Sequence, residues 1–317
     1  MIKPAKLKKG DTVGIIAPAS PPNEGQLKKA ILFLEELGLQ VMIGKSVYER
    51  NGYLAGTDEQ RIDDIHDMFS NKSVKAIICA CGGYGTARIA SQLNYELIKQ
   101  NPKIFWGYSD ITFLHTAIFQ KTGLVTFHGP MLSSDIGKDD IAIQTKQSFE
   151  QLFSPQPIYY TDKISVIEAI EQGEASGKIV GGNLTLLTST LGTEFEIDTK
   201  GHILFIEDID EEPYEVDRMM TQLKMANKFS DAAGIMICDF HNCQPIKRTE
   251  SLSLEEALIN QLRGLKKPIM KGFLIGHCSP QVAVPIGTYA TISTYENMVE
   301  IEAGISAGVR VHESRRN

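Results

Sequence analysis

Apolar and polar positions follow two alternating rhythms over the first 126 residues. Short β-branched runs, "TVGIIAPAS" from Thr12, "QVMIG" from Gln40, "VKAIICACGG" from Val74 and "KIFWGYS" from Lys103, are separated by stretches with apolar residues every three or four positions. Those stretches, "GQLKKAILFLEELG", "DEQRIDDIHDMFSN" and "TARIASQLNYELIKQ", read as helices. In the first, Leu27, Ala30, Ile31, Leu34 and Leu37 fall on one face and Gly38 follows as a stop signal. Strand and helix in repeated alternation predict a parallel sheet covered by helices, with ligand sites beyond the carboxyl ends of its strands. The loops 18–24, 81–86 and 107–110 stand at those ends.

Between 154 and 178, "SPQPIYYTDKISVIEAIEQGEASGK" loses this rhythm and gathers Pro, Gly and charge, as a crossing between two units does. The organisation read from the chain is an N-terminal α/β unit over 1–155, a linker over 156–176 and a C-terminal unit over 177–317. In the last, "GKIVGGNLTLLTSTLG", "HILFIEDID", "AAGIMICDF", "KPIMKGFLIG" and "TYATISTYENMVEIE" predict further strands, with helical segments near 214–227 and 254–264. The final run alternates and contains turn residues, which predicts antiparallel pairing and a β-rich α+β character.

Composition narrows the class of function. With 42% hydrophobic and 22% charged residues in 317, the chain is an ordinary globular protein with enough length for two cores. A formal charge of −7 without a basic stripe argues against nucleic acid as a partner. No stretch approaches the ~20 apolar residues of a membrane span, and the basic N-terminus leads into a short run broken by Pro18, not into a signal sequence. Five cysteines without a disulfide framework's spacing fit a reducing cytoplasm.

The chemistry concentrates at three strand ends. Ser109 follows "IFWGY" and precedes "DITFLHTAIFQ", whose Ile111, Leu114 and Ile118 recur at helical spacing. A serine on such a strand-to-helix turn either caps the helix or is presented as a nucleophile, with the following backbone N–H groups available to an oxyanion. Ile111 stands where an α/β-hydrolase elbow carries its second glycine, so that pattern is half present. A nucleophilic serine needs a base and an orienting acid. Glu207, ending "ILFIE", and His277, after "GFLIG", occupy suitable strand ends; a solvated carboxylate and a loop histidine are the plainer alternatives. "CACGGYGTARIA" lacks the G-x-G-x-x-G spacing of a dinucleotide site, with Arg88 at the third position, but its glycines can bring an N–H close to an oxyanion. Cys238, His241 and Cys243 match no common zinc spacing, and Cys278 reads as a packed thiol, so no metal or other cofactor is expected.

In order along residues 8–280, "GDTVGIIAPASP", "GYLAGTDEQRIDDIHDMF", "CGGYGTARI", "NPKIFWGYSDIT", "GLVTFHGPM", "GGNLTLL", "LFIEDIDEEPYEVDRM" and "IGHC" resemble the LD-carboxypeptidase family of serine peptidases, which includes the microcin-immunity peptidases. That resemblance implies Ser109 as nucleophile, Glu207 and His277 as its partners, and backbone N–H groups of Gly83 and Asp110 as oxyanion donors. It implies an N-terminal α/β domain carrying the serine, a C-terminal β-rich domain carrying acid and base, and a homodimer. "CGGYGTARI" and "TFHGPM" look more like the cytoplasmic murein-recycling enzymes, which remove terminal D-alanine from tetrapeptides. The alternatives are a microcin-immunity-type peptidase acting on aminoacyl-nucleotide antibiotics and a non-catalytic binding protein of the same fold. A carboxypeptidase must also hold its substrate's free carboxylate, for which Arg88 and Arg218 are the candidates.

Overall fold

The computed structural model of the chain describes residues 1–248 and 250–307; positions 308–317, counted above with the C-terminal unit, lie outside them. Five parallel strands form the first sheet: β1 (Thr12–Ile16), β2 (Gln40–Ile43), β3 (Val74–Cys79), β4 (Ile104–Gly107) and β5 (Thr126–His128). The second sheet contains β6 (Ile158–Tyr160), β7 (Glu168–Glu171), β8 (Glu174–Asn183), β9 (Ile203–Ile209), β10 (Gly234–His241) and β11 (Ile269–Lys271). β12 (Val284–Ile286) returns to the first sheet, antiparallel to β5, and β13 (Tyr289–Ser293) and β14 (Met298–Ile301) complete the second. The orders are β12-β5-β4-β3-β1-β2 and β6-β14-β13-β8-β9-β10-β11-β7.

The helical reading of "GQLKKAILFLEELG" corresponds to the helix Glu24–Glu36, with Leu27, Ala30 and Leu34 fully buried and Ile31 and Leu37 packed at the edge of the same core. Asn23 caps its first turn, and Gly38 leaves it at φ +82°. Apolar cores cover both faces of each sheet.

The final run forms the antiparallel pair β13–β14 as its alternation predicts, whereas the heart of the second sheet, β8 to β11, is parallel. The 154–178 crossing is itself structured: β6 and β7 form the two outer strands of the second sheet. Both are short and part-exposed, and edge strands bury too little to show a strong apolar rhythm.

The sheets meet around the helix Thr112–Thr122, whose residues Thr112–Ile118 are all buried. Thr112 Oγ1 accepts the backbone N–H of Asn183 at 3.1 Å. Close approach is what the "GGN" of β8 provides: a Cβ at Gly182 would stand 2.6 Å from Thr112 Oγ1, and one at Gly181 1.9 Å from the Phe205 carbonyl oxygen. This contact brings the carboxyl end of β9 toward the turn after β4.

Candidate active site

β4 ends at Gly107, Tyr108 is extended, and Ser109 opens a short 3-10 turn over Ser109–Ile111 before the helix Thr112–Thr122 begins. Ser109 itself has φ +63°, a left-handed conformation that costs a non-glycine residue about 1–2 kcal/mol. Neither the Ser109 nor the Asp110 side chain caps either helix, and Ser109 Oγ makes no hydrogen bond among the described residues. The hydroxyl is thus presented by a strained backbone and is not used to satisfy it, a combination that points to function.

The 81–86 loop faces this turn. A Cβ at Gly82 would lie 3.0 Å from both Cβ and Oγ of Ser109, and Gly83, at φ +109°, would place one 2.2 Å from Ser20 Oγ. The loop is pinned at its far end by Asp110: the Thr86 backbone N–H donates to its carboxylate at 2.9 Å, and the Thr86 hydroxyl donates to its carbonyl oxygen at 2.6 Å. Burial pushes the Asp110 carboxyl up, opposed by those Thr86 hydrogen bonds. The backbone N–H groups of Gly83 and Asp110 donate to no protein acceptor among the described residues.

Across the junction, Glu207 on β9 is wholly buried, and its Oε2 lies 2.7 Å from Nδ1 of His277. Gly276, at φ +116°, is what lets His277 sit there, because a Cβ would approach Glu207 Oε2 to 2.6 Å. Burial pushes the Glu207 carboxyl up, and the His277 charge pulls it only partly back. For His277 burial acts downward, but the facing Glu207 carboxylate outweighs it and the imidazole stands above its ordinary value. Nδ1 is occupied by the carboxylate, which leaves Nε2 for a reacting proton.

Two side chains join the halves. The Tyr108 ring packs 4.8 Å from the His277 ring, and its hydroxyl donates to Asp135 Oδ1 at 3.1 Å. Asp135 is held in turn by the Met131 backbone N–H, at 2.8 Å. So the residue before Ser109 lies against His277, although no Ser109–His277 hydrogen bond is formed. Below them, His128 is fully buried with both ring nitrogens unpartnered, and burial holds it neutral, well below the ordinary value. Sequence reading missed the Tyr108–Asp135 link. Tyr108 lies inside the Gly107–Asp110 tetrapeptide, but nothing local in "MLSSDIG" marks Asp135.

Ser109, Asp110, Gly83, Glu207 and His277 are thus grouped at the carboxyl ends of both parallel sheets. The two arginines differ. Arg88 is engaged by Asp58 through two hydrogen bonds of 3.0 and 2.8 Å. Arg218 is exposed on the helix Pro213–Met225 and makes no ion pair among the described residues. Glu211, beside it, is pushed up to about 7 by burial and by Asp208 and Glu215, with Arg218 opposing. Among the described residues no cluster of three or more His, Cys, Asp or Glu is arranged to hold a metal, and no helix is long and apolar enough to cross a membrane.

A family model described as the LD-carboxypeptidase N-terminal domain matches residues 13–129, and one described as the LD-carboxypeptidase C-terminal domain matches 176–292. The chain is 60% identical over 306 residues to a protein of Bacillus subtilis (strain 168) named "Probable murein peptide carboxypeptidase", covering 96% of each. It is 29% identical over 320 residues to the microcin C7 self-immunity protein MccF of Escherichia coli, covering 91% of this chain and 92% of that one. Among solved structures, wild-type MccF superposes with a TM-score of 0.88 at 27% identity, over 96% of this chain and all of that one. The muramoyltetrapeptide carboxypeptidase of Oxalobacter formigenes does so with 0.82 at 27%, over 94% of this chain and all of that one.

Proposed function

The chain belongs to the LD-carboxypeptidase family, and from that premise we propose that it releases the terminal D-alanine of murein tetrapeptides by hydrolysing the bond between an L-centre and D-alanine. The observation that carries the mechanism is the 2.7 Å Glu207–His277 pair facing, through Tyr108, the strained turn of Ser109. His277 Nε2 takes the Ser109 proton as Oγ attacks the scissile carbonyl, and Glu207 stabilises the imidazolium that forms. The tetrahedral oxyanion is received by the backbone N–H groups of Gly83 and Asp110. His277 then returns the proton to the leaving amine, D-alanine departs, and an acyl-serine ester remains. Water, deprotonated by the same imidazole, attacks that ester; the collapse restores the Ser109 hydroxyl and frees the tripeptide.

In this reading the unit over 1–155 supplies the nucleophile and the unit over 177–317 the acid and base, joined through 156–176. Arg218 receives the substrate's free carboxylate in preference to Arg88, whose guanidinium Asp58 already holds. The enzyme works in the cytoplasm, as a homodimer, on peptides released from the wall.

Release of D-alanine from a murein tetrapeptide, measured for the wild type and for Ser109→Ala, tests the assignment. A loss of about 10³-fold or more is expected, and full activity in the variant overturns it. The likeness to MccF, which has been solved with aspartyl sulfamoyl adenosine, supports one rival substrate class. Competition between the tetrapeptide and that aminoacyl sulfamoyl nucleoside separates the two, and preference for the nucleoside overturns the murein assignment.

A further inference from the structure

A cleft of about 610 Å³ opens at the amino ends of β1, β3 and β4, the end of the first sheet opposite Ser109 and Gly82. The length of β3 puts the two ends roughly 15–20 Å apart. Lys6, Lys8, Lys72, Lys75 and Lys103 line the cleft against a single carboxylate, Asp11. This concentration of positive charge stands on a chain whose formal charge is −7.

Neutral oxygens hold the ammonium groups in place. Lys72 Nζ donates to Asn101 Oδ1 and Lys75 Nζ to the Lys72 carbonyl oxygen, both at 2.6 Å. Lys103, only 7% exposed, donates to the Met68 carbonyl oxygen at 2.7 Å and to the Asn71 carbonyl oxygen. None of these three lysines forms an ion pair among the described residues, and Asp11 accepts the Lys8 backbone N–H at 2.8 Å. Burial, with Lys75 and Lys72 nearby, lowers Lys103 to about 8. A buried ammonium without a counter-charge is costly, and N–H groups of Lys72, Lys75 and Lys103 remain unused. A small anion with several charged oxygens meets both needs.

We propose that this cleft is a binding site for a small multivalent phosphate anion, its oxygens taking the remaining N–H groups of Lys72, Lys75 and Lys103. Binding favours protonated Lys103, so above about pH 8, where the free site loses that proton, this lysine takes one up as the anion binds. The other charged groups lining the cleft are Lys6, Lys8, Lys72, Lys75 and Asp11.

Calorimetric titration of the full chain with inorganic pyrophosphate, at constant ionic strength set with sodium chloride, tests this. The expected result is a saturable 1:1 isotherm at pH 7. Affinity should drop about tenfold or more in Lys72→Gln/Lys75→Gln, whose side chains are exposed. Ser109→Ala should bind as the wild type does, and the double variant should still release D-alanine, so this site and the catalytic reading fail separately. Titration with a nucleoside diphosphate tells a site for a phosphate ester, which takes it, from one for the free anion, which does not. Absence of a saturable heat, or equal affinity in wild type and double variant, overturns the proposal.

Discussion

The two strand ends that form the site use different physics. The end of β4 works through its backbone: a serine held at φ +63°, facing glycines with no room for a Cβ, and N–H groups without protein acceptors among the described residues. The end of β9 works through charge: a wholly buried carboxylate against an imidazole, with a glycine clearing the space between them. One half stores strain and the other stores an electrostatic interaction of low-dielectric character. Neither half is complete, because a presented hydroxyl is a poor nucleophile without a base, and a paired histidine has no reaction to serve without the hydroxyl.

The largest effect should come from removing the hydroxyl while relieving the strain. Ser109→Gly is expected to lose about 10³-fold or more in kcat while gaining stability of about 1 kcal/mol, measured by D-alanine release and urea unfolding. A loss of stability there would break the strain half of the comparison. Glu207→Gln should cost about 10²–10⁴-fold in kcat. The proposed mechanism requires neutral His277, whose pKa Glu207 raises above its ordinary value, so the acid limb of kcat/KM should move to lower pH in that variant. An unmoved acid limb would deny the charge half.

Gly276→Ala tests the space between the pair. The new Cβ collides with Glu207 Oε2 at a φ that disfavours it, and a loss of about 1–3 kcal/mol in unfolding free energy is expected together with reduced kcat. Tyr108→Phe removes the hydroxyl bond to Asp135 but keeps the ring against His277. A drop of only about 5–20-fold in kcat is expected, in line with one hydrogen bond. Arg88→Gln should change KM least, within about threefold, whereas Arg218→Gln should raise it by about tenfold or more as a charge-assisted carboxylate contact is lost. The reverse ranking would return the carboxylate to Arg88.

Much of the first half was legible in the chain. The 3.6-residue rhythm of Leu27, Ala30 and Leu34 follows from burying one helix face, and parallel strands buried on both sides write themselves as continuous β-branched runs. Edge strands β6 and β7 carried no such signal, and β12 gave no hint that it leaves its sequence neighbours to pair with β5. Those choices depend on which surface a short segment meets after folding.

At the site, local sequence delivered the residue types and the strand ends of Ser109 and Glu207, but not the place of His277: "GFLIG" is no strand, β11 stops at Lys271, and the histidine stands in the loop that follows. It left Ser109 open between cap and nucleophile, because capping is a matter of hydrogen bonds that composition does not record. The left-handed turn and the absence of a cap appear only in three dimensions. Likewise, Asp135 is one acidic residue in the short helical turn Leu132–Ile136 until Tyr108 reaches it.

The amino-acid sequence by itself determined the residue types available for chemistry and most of the strands and helices around them, since periodicity and turn residues are properties of neighbours along the chain. The tertiary structure alone decided that Glu207 and His277 pair, that Tyr108 links them to Ser109, and that lysines from three separate segments of the chain share one cleft. Distances between residues separated by tens to hundreds of positions are fixed by packing. Through the Gly182–Thr112 contact, that packing is what brings two incomplete halves together.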